Sequence, residues 1–173
     1  MTHPIEVEIR GRLDDTEYER IKSFLDEQGT HLKSQDREMI LLRDYRGFSK
    51  DAFVGRPVDI RLRNTNGACE IMLKRKVENA REEVQLKLQD TDLDKAKIVM
   101  RALGCTTGNW MHRLSEVYEY KGIEWALVIA PNNIRYYEAE IAVADASCVA
   151  DAHATLESAM FALLLVDSAC RKR

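Results

Sequence analysis

Charged residues occupy every second position in one segment of this chain after another, and this pattern limits the fold more than any other feature. In residues 5–13, IEVEIRGRL, Glu6, Glu8, Arg10 and Arg12 alternate with aliphatic Val7 and Ile9. Successive side chains of a β-strand point to opposite faces, so a period of two splits the segment into a charged face and an aliphatic one. DIRLR sets Arg61 and Arg63 against Ile60 and Leu62, and EIMLKRK sets Glu70, Met72, Lys74 and Lys76 against Ile71 and Leu73. REEVQLKL places Arg81, Glu83, Gln85 and Lys87 opposite Val84, Leu86 and Leu88, while YYEAEIAV puts Glu138 and Glu140 on one face. A single strand of this kind is an ordinary half-wet sheet strand. When five strands share the pattern, two solutions remain: an open sheet with a solvated charged face, or a closed sheet whose charged faces look at one another around a filled or hollow interior.

The remaining segments supply helices for the aliphatic face. DDTEYERIKSFLDEQG places Thr16 and Glu19 at capping-box spacing, Tyr18, Ile21, Phe24 and Leu25 along one side, and Gly29 as a stop. TDLDKAKIVMRALG repeats the design with Thr91 as the expected N-cap, Leu93, Ala96, Met100 and Leu103 on a face, and Gly104 at the end. A third helix is expected over residues 146–170, with Leu156, Met160, Leu163 and Leu164 as packing positions and His153 on its surface. Strands are expected over residues 5–13, 36–45, 57–64, 68–76, 81–89, 113–121, 123–130 and 134–143. Asn64-Thr65-Asn66-Gly67, Lys121-Gly122 and Pro131-Asn132-Asn133 have the residues of tight reversals, so most neighbouring strands should be antiparallel. Eight strands and few long connections suggest a sheet that curls towards closure. The expected class is α+β: an eight-stranded antiparallel closed β-barrel with helices packed outside, formed by one domain over residues 1–173.

Composition removes several functions. A net charge of −3 gives no basic footprint for nucleic acid. The apolar stretch at 160–166 is too short to span a bilayer, and MTHPIEVE has no signal core, so a cytoplasmic protein that binds no membrane is expected. Cys69, Cys105, Cys148 and Cys170 are far apart and form neither a CxxC motif nor a Cys/His cluster, which argues against a zinc site or a disulfide framework.

Taken together, Glu6-Val-Glu8-Ile-Arg10, Arg61-Leu-Arg63, Lys74, Arg81 with Glu83, and Glu138-Ala-Glu140 resemble the ordered motifs of the CYTH domain, the triphosphate tunnel metalloenzyme superfamily. The resemblance runs from residue 5 to about residue 143. It implies an eight-stranded tunnel with a charged lumen, and a phosphate-binding set of Arg10, Arg61, Arg63, Lys74, Arg81 and Arg113. Arginine suits that role because its planar fork of donors stays protonated and matches phosphate oxygens. By the same resemblance Glu6, Glu8, Glu138 and Glu140 form a set for Mg²⁺ or Mn²⁺, Glu6, Glu8 and Arg10 are catalytic, and Glu83 is supporting. Two carboxylates about 4 Å apart repel by roughly 4 kcal/mol at an effective dielectric of 20, and a hard divalent cation relieves that repulsion.

The pattern departs from the family in places. Arg10 stands where lysine is usual, Ser115 where an arginine is expected, Val128 or Ala130 where members often carry a metal-associated Asp, and Gln85 in place of a frequent Glu. The implied partner is a small molecule bearing a triphosphate. The expected function is its metal-dependent hydrolysis, with adenylyl cyclase chemistry or binding without turnover as alternatives. Family members are often dimers, although no pattern in this chain marks an interface. Trp110 and Trp125 are expected to pack at strand edges rather than stack on a base, and the loop GFSKDAFVGRP, with Lys50 and Arg56, is either a cover for one tunnel mouth or a plain hairpin connection.

Overall fold

A computed structural model describes residues 5–42, 58–77, 80–89 and 93–165. The expected covering loop, with Lys50 and Arg56, lies outside the described residues, as do the Thr91 cap and the helix end at 166–170. Eight strands, β1 (Ile5–Leu13), β2 (Thr30–Leu42), β3 (Val58–Thr65), β4 (Ala68–Val77), β5 (Ala80–Lys87), β6 (Gly108–Tyr120), β7 (Ile123–Ala130) and β8 (Ile134–Val143), close into a barrel. Their order around the barrel is β1-β5-β4-β3-β2-β6-β7-β8, and every pair is antiparallel. The closed sheet is therefore the solution adopted, and the solvated open sheet is not.

Three α-helices, α1 (Asp15–Gln28), α2 (Leu93–Ala102) and α3 (Val149–Leu165), lie outside the barrel. The protein consequently keeps its apolar cores outside the sheet and its charge inside. One core joins α1 and α3 to the outer faces of β1, β7 and β8, with Val7, Ile21, Leu25, Trp125, Leu127, Ala139 and Leu156 almost wholly buried. The second places Leu93, Ala96 and Met100 of α2 over Ile60, Leu62 and Cys69. Burial of these aliphatic faces under the helices stabilises the arrangement, and closure turns the charged faces towards one another. No helix among the described residues is long and apolar enough to cross a membrane.

Several boundaries differ from the sequence expectation. The N-cap of α1 is Asp14, not Thr16: its side chain accepts from Glu17 N at 2.8 Å, and Glu17 answers by accepting from Asp14 N at 2.9 Å. Both residues have an acid three positions on, and Asp14 wins because it directly follows the last strand residue in extended backbone. β2 begins at Thr30 rather than residue 36, and β6 at Gly108 rather than 113, the two forming a long ribbon with an irregularity between His31 and Lys33. The early half of β2 was hidden because THLKSQ is mostly polar on both faces, so alternation carries little contrast there. The Asn66-Gly67 reversal forms as expected, with both residues at positive φ, and Asn66 clamps it to β2 by accepting from Asp36 N and donating to Ser34 O.

Gly11 faces outward from β1, directly opposite Tyr137, whose ring lies across the space a side chain would need: a Cβ at this position would come within 2.7 Å of Tyr137 Cε1. Gly11→Ala should therefore lower stability by about 1–3 kcal/mol, the usual cost of overpacking a filled core. In a double-mutant cycle by denaturant unfolding, Tyr137→Leu should recover much of that loss; strict additivity would contradict this contact.

Candidate functional site in the barrel lumen

The inward positions of all eight strands converge on one polar cavity. β1 contributes Glu6, Glu8 and Arg10; β8 Glu138 and Glu140; β7 Glu124 and Ala126; and β6 Arg113 and Val117. β2 adds Lys33, Gln35 and Arg37, β3 Arg61 and Arg63, β4 Lys74, and β5 Glu83 and Gln85. Seven cations thus face six carboxylates.

Strand register separates the two signs. Glu8 is directly opposite Glu140, and Glu140 is directly opposite Glu124, so β1, β8 and β7 present three adjacent carboxylates. Across the barrel Arg37 of β2 is directly opposite Arg113 of β6, and Arg63 lies opposite Met39, two residues along β2. Like charges placed across a strand pair are destabilising unless something of opposite sign lies between them.

Partner selection follows from this arrangement. Lys74 donates to Glu6 at 3.2 Å and also contacts Glu83, which joins β4 to β1 across the seam that is shortest among the described residues, where β1 and β5 pair through Ile5↔Glu82 and Glu6↔Arg81. Arg113 Nη1 bridges Tyr136 Oη and Glu138 Oε1, each at 3.0 Å, and its Nε is buried without a hydrogen-bond partner among the described residues. Arg10 Nε donates to Glu8 at 2.7 Å, Arg63 Nε to Glu70 at 2.5 Å, Arg61 Nε to Asp59 at 3.1 Å, and Lys33 lies 3.6 Å from Glu124. Arg37 differs from the rest. It is 9 % exposed, donates to the neutral oxygens Thr65 Oγ1 and Gln35 Oε1, and has no carboxylate partner among the described residues.

Titration reflects the same crowding. Burial, and then the charge of Glu6, push the Glu140 carboxyl up to about 8. Burial also lowers the pKa of Lys74, against the raising influence of Glu6. Arg37 is pushed down to about 9 by burial and by the charges of Arg63 and Arg113, and so stays charged at neutral pH. A lumen in which one carboxyl must hold a proton to sit beside another has the oxygen donors that Mg²⁺ and Mn²⁺ take, and a divalent cation could replace that proton. Among the described residues no three Asp, Glu, His or Cys side chains already converge on an ion position, because Glu6, Glu8 and Glu138 are turned to their lysine and arginine partners. The donor chemistry fits a hard cation, and its entry requires those carboxylates to exchange partners.

Of the residues singled out in the sequence, Glu6, Glu8, Arg10, Arg61, Arg63, Lys74, Glu83, Arg113, Glu138 and Glu140 all line this cavity. Arg81 shares the strand face of Glu83 but is exposed beyond the cavity lining, and Arg12 is likewise exposed. Ser115 is buried against Gln35, and fully buried Val128 faces it across β6 and β7, leaving a neutral strip with Val117 and Ala126. Trp110 is exposed outside the barrel and Trp125 is buried in the outer core, so neither lines the tunnel. Sequence reasoning missed Lys33, Gln35, Arg37 and Glu124. The even-numbered face of IEWALVIA would have shown Glu124, but that strand is nearly apolar throughout and masks its own alternation. Glu124 gives β7 a lumen carboxylate four residues before Val128.

The raised Glu140 value sets the sign of a pH effect. The folded protein holds a proton that the unfolded chain releases near pH 4.3, so stability falls as pH rises from there towards 8. In chelator, the melting temperature of the wild type should decline from about pH 5 to 8 more steeply than that of Glu140→Gln. Equal slopes would remove Glu140 as the group responsible.

No family model and no curated protein matches the chain. Solved structures do match. A Pyrococcus horikoshii protein superposes with a TM-score of 0.72 at 15 % identity, covering 94 % of this chain and 92 % of its own. A Vibrio parahaemolyticus protein described as a candidate adenylate cyclase gives 0.69 at 14 % identity, with 94 % and 89 % covered. A Hippeastrum protein, a candidate adenylyl cyclase described as having a dominant triphosphatase activity, gives 0.58 at 17 % identity, with 92 % and 87 % covered. With the closed eight-stranded topology and the charged lumen, these likenesses bear out the fold that the CYTH resemblance implies, an eight-stranded antiparallel tunnel with helices packed outside.

Proposed function

We propose that the protein is a metal-dependent hydrolase of a small triphosphate, bound in the barrel lumen. The observation that carries this reading is that like charges cluster at two places in one cavity: Glu8, Glu140 and Glu124 lie side by side on β1, β8 and β7, and Arg37, Arg63 and Arg113 line β2, β3 and β6. A triphosphate with a divalent cation is complementary to both walls at once. Glu6, Glu8, Glu138 and Glu140 would hold Mg²⁺ or Mn²⁺, which when bound neutralises phosphate charge and lowers the pKa of a bound water.

The chain's own residues do the rest. Arg61, Arg63 and Arg113 orient the phosphoryl oxygens and stabilise charge that develops on them as the bond to the leaving group breaks. Arg10, held by Glu8 and 3.8 Å from Glu138, sits between the carboxylates and the phosphate chain. Binding would exchange partners: Glu6, Glu8 and Glu138, now paired with Lys74, Arg10 and Arg113, would hold the cation, and those basic side chains would turn to phosphate. The exchange keeps each charge compensated, which a buried site requires. The Hippeastrum neighbour's triphosphatase activity supports a hydrolase by analogy of fold alone. A second reading, binding without turnover, is favoured by the neutral Ser115, Val117, Ala126 and Val128 strip and by carboxylates that are already paired.

Purified protein incubated with tripolyphosphate, thiamine triphosphate or ATP, plus Mg²⁺ or Mn²⁺, should release phosphate in a chelator-sensitive manner. Glu138→Gln should lower kcat by about a hundredfold or more, because several kcal/mol of charge stabilisation depend on the metal. Arg63→Ala should lower kcat/KM by roughly ten- to a hundredfold, the value of a charged hydrogen bond. Cyclic AMP and pyrophosphate as the products would select the cyclase instead, and binding without any product would select the binder.

A further inference from the structure

We propose that Arg37 is the core of an oxyanion subsite on the β2–β3–β6 wall, with Arg63 and Arg113 as its flanks, and that this subsite anchors one phosphoryl group of the ligand. The inference rests on the lumen being a polyphosphate site and names a residue that no sequence motif marked. Each of the other six lumen cations has a carboxylate within ion-pair distance, so its charge is partly spent before a ligand arrives. Arg37 has none among the described residues. Its Nε donates to Thr65 Oγ1 at 3.0 Å and its Nη2 to Gln35 Oε1 at 2.9 Å, while Ser115 Oγ reaches the same Gln35 oxygen at 3.5 Å.

These neutral acceptors fix the orientation of the guanidinium and leave its charge intact. Nη1 makes no protein hydrogen bond among the described residues, and the side chain lines the cavity. Arg113 is its direct cross-strand neighbour, and Arg63 adds a third positive group nearby. A nearly buried cation held in place, set beside two more cations and offset only by Glu138 and Glu70 beyond ion-pair distance, is costly in the ligand-free protein. An oxyanion removes that cost, and Arg37 supplies a planar fork that matches it. A residue of this kind is expected to trade stability of the free protein for binding.

The test measures binding of tripolyphosphate in chelator, by calorimetry and by the ligand-induced rise in melting temperature, so neither metal nor turnover enters. Arg37→Gln should weaken binding at least about tenfold, while the melting temperature of the ligand-free protein stays level or rises. Arg37→Lys, which keeps the charge but loses the fork, should fall between the two. Arg101→Gln, exposed on α2, should bind as the wild type does. Undiminished affinity in Arg37→Gln overturns the subsite, and a lower melting temperature with undiminished affinity makes Arg37 a structural strut. Should Arg37→Gln fail to fold, undiminished affinity in Arg37→Lys overturns it in the same way. A protein that binds tripolyphosphate through Arg37 yet hydrolyses nothing leaves the subsite standing and removes only the hydrolase; a wild type that does not bind tripolyphosphate removes both.

Discussion

Closing an eight-stranded sheet around its charged face is the constraint on which the rest of the structure depends. In most small barrels the interior is the apolar core. Here the apolar residues lie outside, under α1, α2 and α3, and the lumen must settle the energy of thirteen ionisable side chains in a confined space. Water and neighbouring charges can do that only if each buried charge finds an opposite one. The ion pairs Lys74 with Glu6, Arg113 with Glu138 and Arg63 with Glu70 are that settlement, and Lys74 with Glu6 also braces the seam that is shortest among the described residues.

The settlement is incomplete in two places. Glu140, with Glu6 and Glu124 for neighbours, carries a raised pKa, and Arg37, with Arg63 and Arg113 for neighbours, carries a depressed one. One marks a place short of positive charge and the other a place short of negative charge, within the same cavity. A cation joined to a polyphosphate supplies both at once. On the function proposed above, this is the physical reason to expect a metal-bound anion rather than either ion alone.

Much of the fold was legible because alternation is a direct record of which face a residue takes. On β1, β3, β4, β5 and β8 most inward residues are charged and most outward ones aliphatic, so spacing put Glu6, Arg61, Lys74, Glu83 and Glu138 on one face of the sheet; the resemblance turned that face into a lumen, and these side chains do line the cavity. Reading failed where that contrast vanished. Ser34, Asp36 and Glu38 make the outer face of β2 as polar as Lys33, Gln35 and Arg37 make its inner face, which hid both the start of the strand and the residue with the least compensated charge. On β7 the contrast failed in the opposite direction, since Ala126 and Val128 are as apolar as Leu127, and Glu124 was passed over. Arg81 has the inward parity and lies directly opposite Glu6, yet its side chain is exposed outside the cavity lining, a distinction that spacing does not carry.

The central claim is that the lumen holds a divalent cation and a polyphosphate together, each against its own wall. A crystal soaked with Mn²⁺ and a non-hydrolysable triphosphate analogue, measured at the manganese absorption edge, tests it directly. The account predicts an anomalous peak within coordination distance of carboxylate oxygens from both β1 and β8, with the phosphate chain between that peak and Arg37, Arg63 and Arg113. A lumen that keeps its Lys74–Glu6 and Arg113–Glu138 pairs unchanged, with manganese and phosphate only on the outer surface, would contradict it.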